Sequence, residues 1–199
     1  MTVSLVGMPG SGKSTVGKQL ARALGWRFHD SDHEIEARIG TSIRAFFEQQ
    51  GEQAFRDLEQ QVVGELAAAG GCVLATGGGT VLREANRQAL RACGPVIYLR
   101  SSPEELYRRL RHDTVRPLLQ VADPLRKLRE LYAQRDAHYR DAATYTLETG
   151  RPSVPTLVNM IVMQLELAGL VDADAVRGRH ARSEPPAEEG SPAGDAPPL

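Results

Sequence analysis

The stretch "GMPGSGKST", residues 7–15, sets Gly7, Gly10 and Gly12 ahead of one lysine, Lys13, and two hydroxyls, Ser14 and Thr15. Gly7, Gly12, Lys13 and Ser14 fit the pattern G-x-x-x-x-G-K-[ST]. Glycines let successive backbone N–H groups point inward, which makes a nest for phosphate oxygens. A helix over 13–24 would add the positive end of its dipole. Lys13 can then reach the terminal phosphates, and the Ser14 hydroxyl can ligate magnesium. An apolar run precedes the loop and an amphipathic pattern follows it, which is the context that separates a phosphate loop from an ordinary glycine-rich turn. The loop is read as a nucleotide phosphate site.

The use made of that phosphate depends on residues further along. No Asn-Lys-x-Asp motif is present to read guanine, and no apolar strand ends in the acidic pair of an ATPase motor. The second apolar segment ends instead in "DSD". In an extended chain Asp30 and Asp32 point to one side. There they could hold the water shell of magnesium, or orient and deprotonate a hydroxyl; equally, they could cap the next helix.

Leu125, Leu128, Tyr132, Arg135 and Tyr139 recur at helical spacing, so Arg135 lies on an apolar stripe and needs a partner. That partner is either a buried carboxylate or a ligand. Arg56 stands one helical step from Glu52 and from Glu59, which suits a salt bridge within one helix. Two positioned guanidiniums also suit bidentate capture of a carboxylate on a small acceptor. "TGGGTV", with Gly77, Gly78 and Gly79, follows a strand and allows close backbone approach to a ligand, or simply a flexible turn. The polar connection 111–123, with Arg116 before Pro117, has the position of a lid over the nucleotide.

These residues need a frame to hold them. The runs 3–7, 27–32, 72–77, 95–100 and 144–148 read as strands, the inner ones nearly continuous in apolar residues, as in a parallel sheet covered on both faces. Helical patterns alternate with them. Ser102, Pro103 and Glu105 mark one helix start, Asp123 and Pro124 another, and a last helix covers 155–167. This is an α/β arrangement with right-handed crossovers. With 199 residues, 41% hydrophobic, the chain can bury one core. The folded domain is expected over 1–171, and 172–199, poor in large apolar residues, is expected to be a disordered tail.

A formal net charge of −1 gives no reason to expect nucleic acid or an anionic membrane as partner. Cys72 and Cys93 form no CxxC pair and are expected to be buried thiols. No apolar run has the length of a membrane span, and a strand starting at Val3 leaves no room for a signal peptide. A cytoplasmic location follows as the expectation.

Taken in order, "GMPGSGKSTVG", "DSD..IE...G.SI", "GE..FR..E", "GGGTV" and "RPLL" resemble the motifs of shikimate kinases over about residues 3–165. The resemblance implies a P-loop NTPase three-layer fold, with a five-stranded parallel sheet of order 2-3-1-4-5 flanked by helices. It implies ATP-dependent phosphorylation of the 3-hydroxyl of shikimate, on the route to chorismate and the aromatic amino acids. Gly10, Ser11, Gly12, Lys13, Ser14 and Thr15 would wrap the phosphates, with magnesium (Mg2+) held by Ser14 and, through its water shell, by Asp30. Asp32 would bind the acceptor hydroxyls and serve as base, and Lys13 and Arg116 would assist transfer. Arg56, Arg135 and Gly77, Gly78 and Gly79 would hold shikimate, and Arg109 with Arg151 and Pro152 would border adenine. ATP and shikimate are then the partners of an expected monomer. Two other readings are a kinase for another small hydroxy acid such as gluconate, and a nucleotide sensor without catalysis. Through the resemblance alone, the arginine pair with "GGGTV" counts against the first, and the intact Lys13, Ser14 and Asp32 count against the second.

Overall fold

A computed structural model describes residues 1–111 and 121–172. Its sheet is built from Thr2–Val6 (β1), Arg27–Asp30 (β2), Cys72–Ala75 (β3), Val96–Arg100 (β4) and Tyr145–Glu148 (β5). The strand order is β2-β3-β1-β4-β5, with every neighbouring pair parallel. The expected order and architecture therefore hold.

Helices Lys13–Leu24 (α1), Ser31–Ile39 (α2), Ile43–Ala68 (α3), Glu84–Cys93 (α4), Pro103–Leu110 (α5), Pro124–Ala142 (α6) and Val154–Leu167 (α7) surround the sheet. Alternate strand residues feed two separate cores. Val3, Leu5, Val73, Ile97 and Leu99 pack under α1 and α7. Val6, Leu74, Val96 and Tyr98 pack under α3, α4, α5 and α6. Burial on both faces is why the inner strands lack a polar alternation. Among the described residues no helix is long and apolar enough to cross a membrane. Both cysteines are free, Cys72 buried and Cys93 only half-buried.

The helix starts follow their local chemistry. Ser102 and Glu105 close a reciprocal capping box on α5, Asp123 accepts from the Arg126 N–H ahead of α6, and Ser153 accepts from the Thr156 N–H ahead of α7. The second expected strand, like the third, is shorter than its sequence suggests. β2 stops at Asp30, and Asp32 lies in the first turn of α2 rather than in extended chain. The reason is local, because the Asp30 side chain accepts the Asp32 N–H and thereby starts the helix. α3 is interrupted at Gly51, whose φ of 82° and ψ of 170° no helix contains. Around that break Ile35, Phe55 and Val62 form a small satellite core with Phe46 and Phe47.

Candidate active site

Between β1 and α1 the chain wraps around the Lys13 ammonium, whose Nζ donates to the carbonyls of Gly7 and Met8 at 2.9 Å each. Gly10 and Gly12 adopt φ values of 83° and 96°, a backbone region that side chains disfavour. The loop opens on a cavity of about 380 Å³ at the carboxyl ends of the strands. Gly10, Gly12, Lys13, Ser14 and Thr15 line it, facing Asp30, Asp32, Thr76 and Gly78. Ser11 is buried outside that lining, and its N–H donates to the Met8 carbonyl at 3.1 Å. Leu110 of α5 closes the cavity beside Gly10.

Asp30 serves two elements at once. One carboxylate oxygen accepts the Asp32 N–H at 3.2 Å, and the other accepts the Ser14 hydroxyl at 2.6 Å. The capping role that the sequence offered is thus filled by Asp30, whose second oxygen is turned to Ser14 of the phosphate loop. Asp32 reaches the same cavity from the helix. Its carboxyl is pushed up from 3.8 to about 6, first by burial and then by the charges of Asp30, Glu59 and Glu36, against the opposing pull of Lys13. A carboxylate of that basicity, next to a phosphate site, is suited to taking a proton from a hydroxyl.

Gly77, Gly78 and Gly79 each lie where a side chain would strike a different part of the site. A Cβ on Gly77 would collide with the Asp32 carboxylate. On Gly78 it would come within 2.8 Å of the Pro9 ring, and on Gly79 within 2.6 Å of the Arg56 guanidinium. The triplet is therefore a close-approach surface fastened at several points. The Gly77 N–H donates to the Ser31 hydroxyl at 2.9 Å, and the Gly78 carbonyl accepts Arg135 Nη1 at 3.1 Å. Thr80, next in sequence, donates its hydroxyl to Glu59 at 2.8 Å.

Arg56 pairs with the buried Glu59 at 2.7 Å and, more loosely, with the exposed Glu52 at 3.5 Å. The intrahelical salt bridge is real, yet it leaves the guanidinium against Gly79 and over the Phe55 ring at 5.3 Å. Arg135 is half-buried, one turn before Tyr139 on α6. Its hydrogen bond to Gly78 brings Arg135, Arg56 and Asp32 around one three-residue loop.

On the far side of α5, Arg109 donates to the Thr149 hydroxyl at 3.2 Å, to the Ser101 hydroxyl at 3.4 Å and to the Thr149 carbonyl. Arg151 and Pro152 line a cavity of about 450 Å³ at the end of β5, with Leu147 and Met160. The structure thus ties Arg109 to the loop that carries Arg151, through Thr149. Arg116 lies outside the described residues, as do 112–120 of the lid segment and 173–199 of the expected tail. Tyr139, Glu59, Ser31 and Leu110 were not singled out for the site. Glu59 and Tyr139 had a visible signal, their helical spacing from Arg56 and Arg135, while Ser31 and Leu110 had none.

The profile of the family described as Shikimate kinase matches residues 9–166. The chain is 57% identical to the shikimate kinase of Paracidovorax citrulli over 173 residues, covering 85% of this chain and 94% of the relative. It is 55% identical to that of Ralstonia nicotianae over 169 residues, covering 85% and 89%. Among solved structures, it is similar to the shikimate kinase from Acinetobacter baumannii in complex with shikimate. The TM-score is 0.79 at 44% identity, over 86% of this chain and 95% of that one.

Proposed function

The chain belongs to the shikimate kinase family, its reaction is the ATP-dependent phosphorylation of the shikimate 3-hydroxyl, and we propose how its residues carry that reaction. The observation behind the proposal is the convergence of Asp32, Arg135 and Arg56 on the glycine triplet, across one cavity from Lys13. Arg56 and Arg135 grip the acceptor's carboxylate, where two planar donor forks favour a carboxylate over a neutral group. Asp32 holds the acceptor hydroxyl and takes its proton as the oxygen attacks the γ-phosphorus. The bond from that phosphorus to the bridging oxygen breaks in line, and ADP leaves. Lys13 and the loop Gly10 to Thr15, at the N-terminus of α1, stabilise the charge that develops on the phosphoryl oxygens.

Ser14 and Asp30 fit magnesium. They bring hard oxygen donors together at 2.6 Å, and magnesium takes one or two such groups, completing its shell with phosphates and water. When bound, the ion neutralises charge on the β- and γ-phosphates. Arg109, Arg151 and Pro152 border adenine in this reading, and Arg116, on the resemblance alone, assists transfer. The catalytic unit is residues 1–171, a reading supported by a family match that ends at residue 166. A monomer in the cytoplasm, without nucleic-acid or membrane partners, completes the proposal.

Release of ADP, coupled to a dehydrogenase signal, tests the reading across shikimate, gluconate and nucleoside monophosphates. Turnover is expected with shikimate alone. Equal turnover with gluconate would overturn shikimate as the preferred acceptor, and equal turnover with a nucleoside monophosphate, which has no carboxylate, would overturn the carboxylate grip of the two arginines.

A further inference from the structure

We propose that Tyr139 is a positioning residue for acceptor binding, its hydroxyl fixing the Gly78 peptide through which the triplet meets the acceptor. The inference rests on the roles proposed above for Arg135 and the triplet. Three successive glycines have no side chains to anchor them, so their order must come from bonds to their peptide groups. Gly77 and Gly79 are tied within their own loop, since their carbonyls accept the N–H groups of Thr80 at 3.2 Å and Leu82 at 3.0 Å. Gly78 is anchored from elsewhere. Its carbonyl accepts the Tyr139 hydroxyl at 2.6 Å and Arg135 Nη1 at 3.1 Å, both from α6.

Those two donors differ in what else they can do. Arg135 is half-buried and free to turn part of its fork toward a carboxylate. Tyr139 is fully buried, with its ring stacked on Tyr98 at a centroid distance of 5.0 Å. Burial pushes its hydroxyl up to about 12, so it remains a donor at any working pH. When Arg135 shifts onto the acceptor, Tyr139 keeps the Gly78 carbonyl in place and the peptide cannot swing. α6 therefore presents a mobile gripping group and a fixed anchor one helical turn apart.

Tyr139→Phe removes one oxygen and keeps the stacked ring. The expected result is a KM for shikimate raised roughly three- to tenfold, the scale of one neutral hydrogen bond, with kcat and the KM for ATP within twofold. Tyr98→Phe is the control. Its hydroxyl donates to Asp136 at 2.9 Å and not to the triplet, so its shikimate KM should match the wild type. The proposal is overturned by an unchanged shikimate KM in Tyr139→Phe, by an equal rise in Tyr98→Phe, or by loss of ATP binding in Tyr139→Phe, which would make the hydroxyl merely structural. Wild-type protein assayed in parallel separates the two levels. A wild type without shikimate-dependent turnover defeats the proposed roles, whereas normal wild-type turnover with an unmoved Tyr139→Phe defeats this inference alone.

Discussion

Ser14, the second residue of α1, donates to the carboxylate of Asp30, the last residue of β2, at 2.6 Å. This bond joins the phosphate loop to the neighbouring crossover and brings together the two hard oxygens that the proposal assigns to magnesium. Asp30 also caps α2, so its charge and its capping can be separated by substitution.

Asp30→Asn keeps a good N-cap and removes the charge. The concentration of magnesium giving half-maximal rate should rise roughly ten- to a hundredfold, as for other groups that orient a metal's ligands. Melting temperature should stay within a degree or two. A falling melting temperature with an unchanged magnesium requirement would assign Asp30 to the helix alone.

Asp32 gives a prediction with opposite signs for rate and stability. Asp32→Asn should lower kcat by about 10²–10⁴, the usual range for a general base. Its carboxyl titrates at about 6 in the folded protein against 3.8 ordinarily. The folded state therefore binds this proton more tightly than the unfolded state does. The resulting stability is fully present below pH 3.8 and is lost as pH rises through about 6. At pH 7.5 ionised Asp32 destabilises the fold by up to about 3 kcal/mol. The asparagine variant should thus be more stable than wild type in urea at pH 7.5, with the gain vanishing near pH 4. In the wild type, kcat/KM should fall on the acid side with an apparent pKa near 6.

Arg56 and Arg135 should separate in their effects. If Arg135 grips the acceptor's carboxylate as proposed, Arg135→Ala should raise the shikimate KM about ten- to a hundredfold. No carboxylate depends on Arg135 among its described hydrogen bonds, so urea unfolding should move little. Arg56→Ala strands Glu59, which is 1% exposed. It should lose shikimate binding and also about 3–5 kcal/mol of stability. Equal stability losses in the two variants would mean that Arg135 too is a structural ion.

Much of this site was legible because its signals are local. The phosphate loop, the caps at Ser102 and Asp123 and the apolar inner strands each follow from a few consecutive residues. Arg135 betrayed itself by lying on an apolar stripe. The "DSD" segment misled because alternation predicts a strand, while Asp30 can bond to the Asp32 N–H and turn the chain into a helix. Ser31 and Leu110 meet the site only through contacts between distant segments, Ser31 at Gly77 and Leu110 at Gly10. Nothing in their local sequence distinguishes a site serine or leucine from any other. The purpose of the glycine triplet was equally hidden, since turn chemistry and close approach both call for glycine.

The triplet offers the most discriminating prediction, because three adjacent alanine substitutions should fail in three different ways. In Gly77→Ala the new methyl meets the Asp32 carboxylate, so on the proposed role of Asp32 kcat should fall most and the shikimate KM rise less, while the KM for ATP holds. In Gly78→Ala it comes within 2.8 Å of Pro9 in the phosphate loop. A proline ring in that loop cannot swing aside as a long side chain can, so the KM for ATP should rise. In Gly79→Ala the methyl lies within 2.6 Å of the Arg56 guanidinium. That flexible group can move, but only by leaving its position at the triplet, so the shikimate KM should rise with ATP binding intact. Overpacking costs about 1–3 kcal/mol, which corresponds to changes of roughly five- to more than a hundredfold. Steady-state kinetics on the three variants, with both substrates varied, reads all three outcomes. A common loss of stability with one shared kinetic defect would show that the glycines serve the turn, and that Asp32, Pro9 and Arg56 do not depend on them separately.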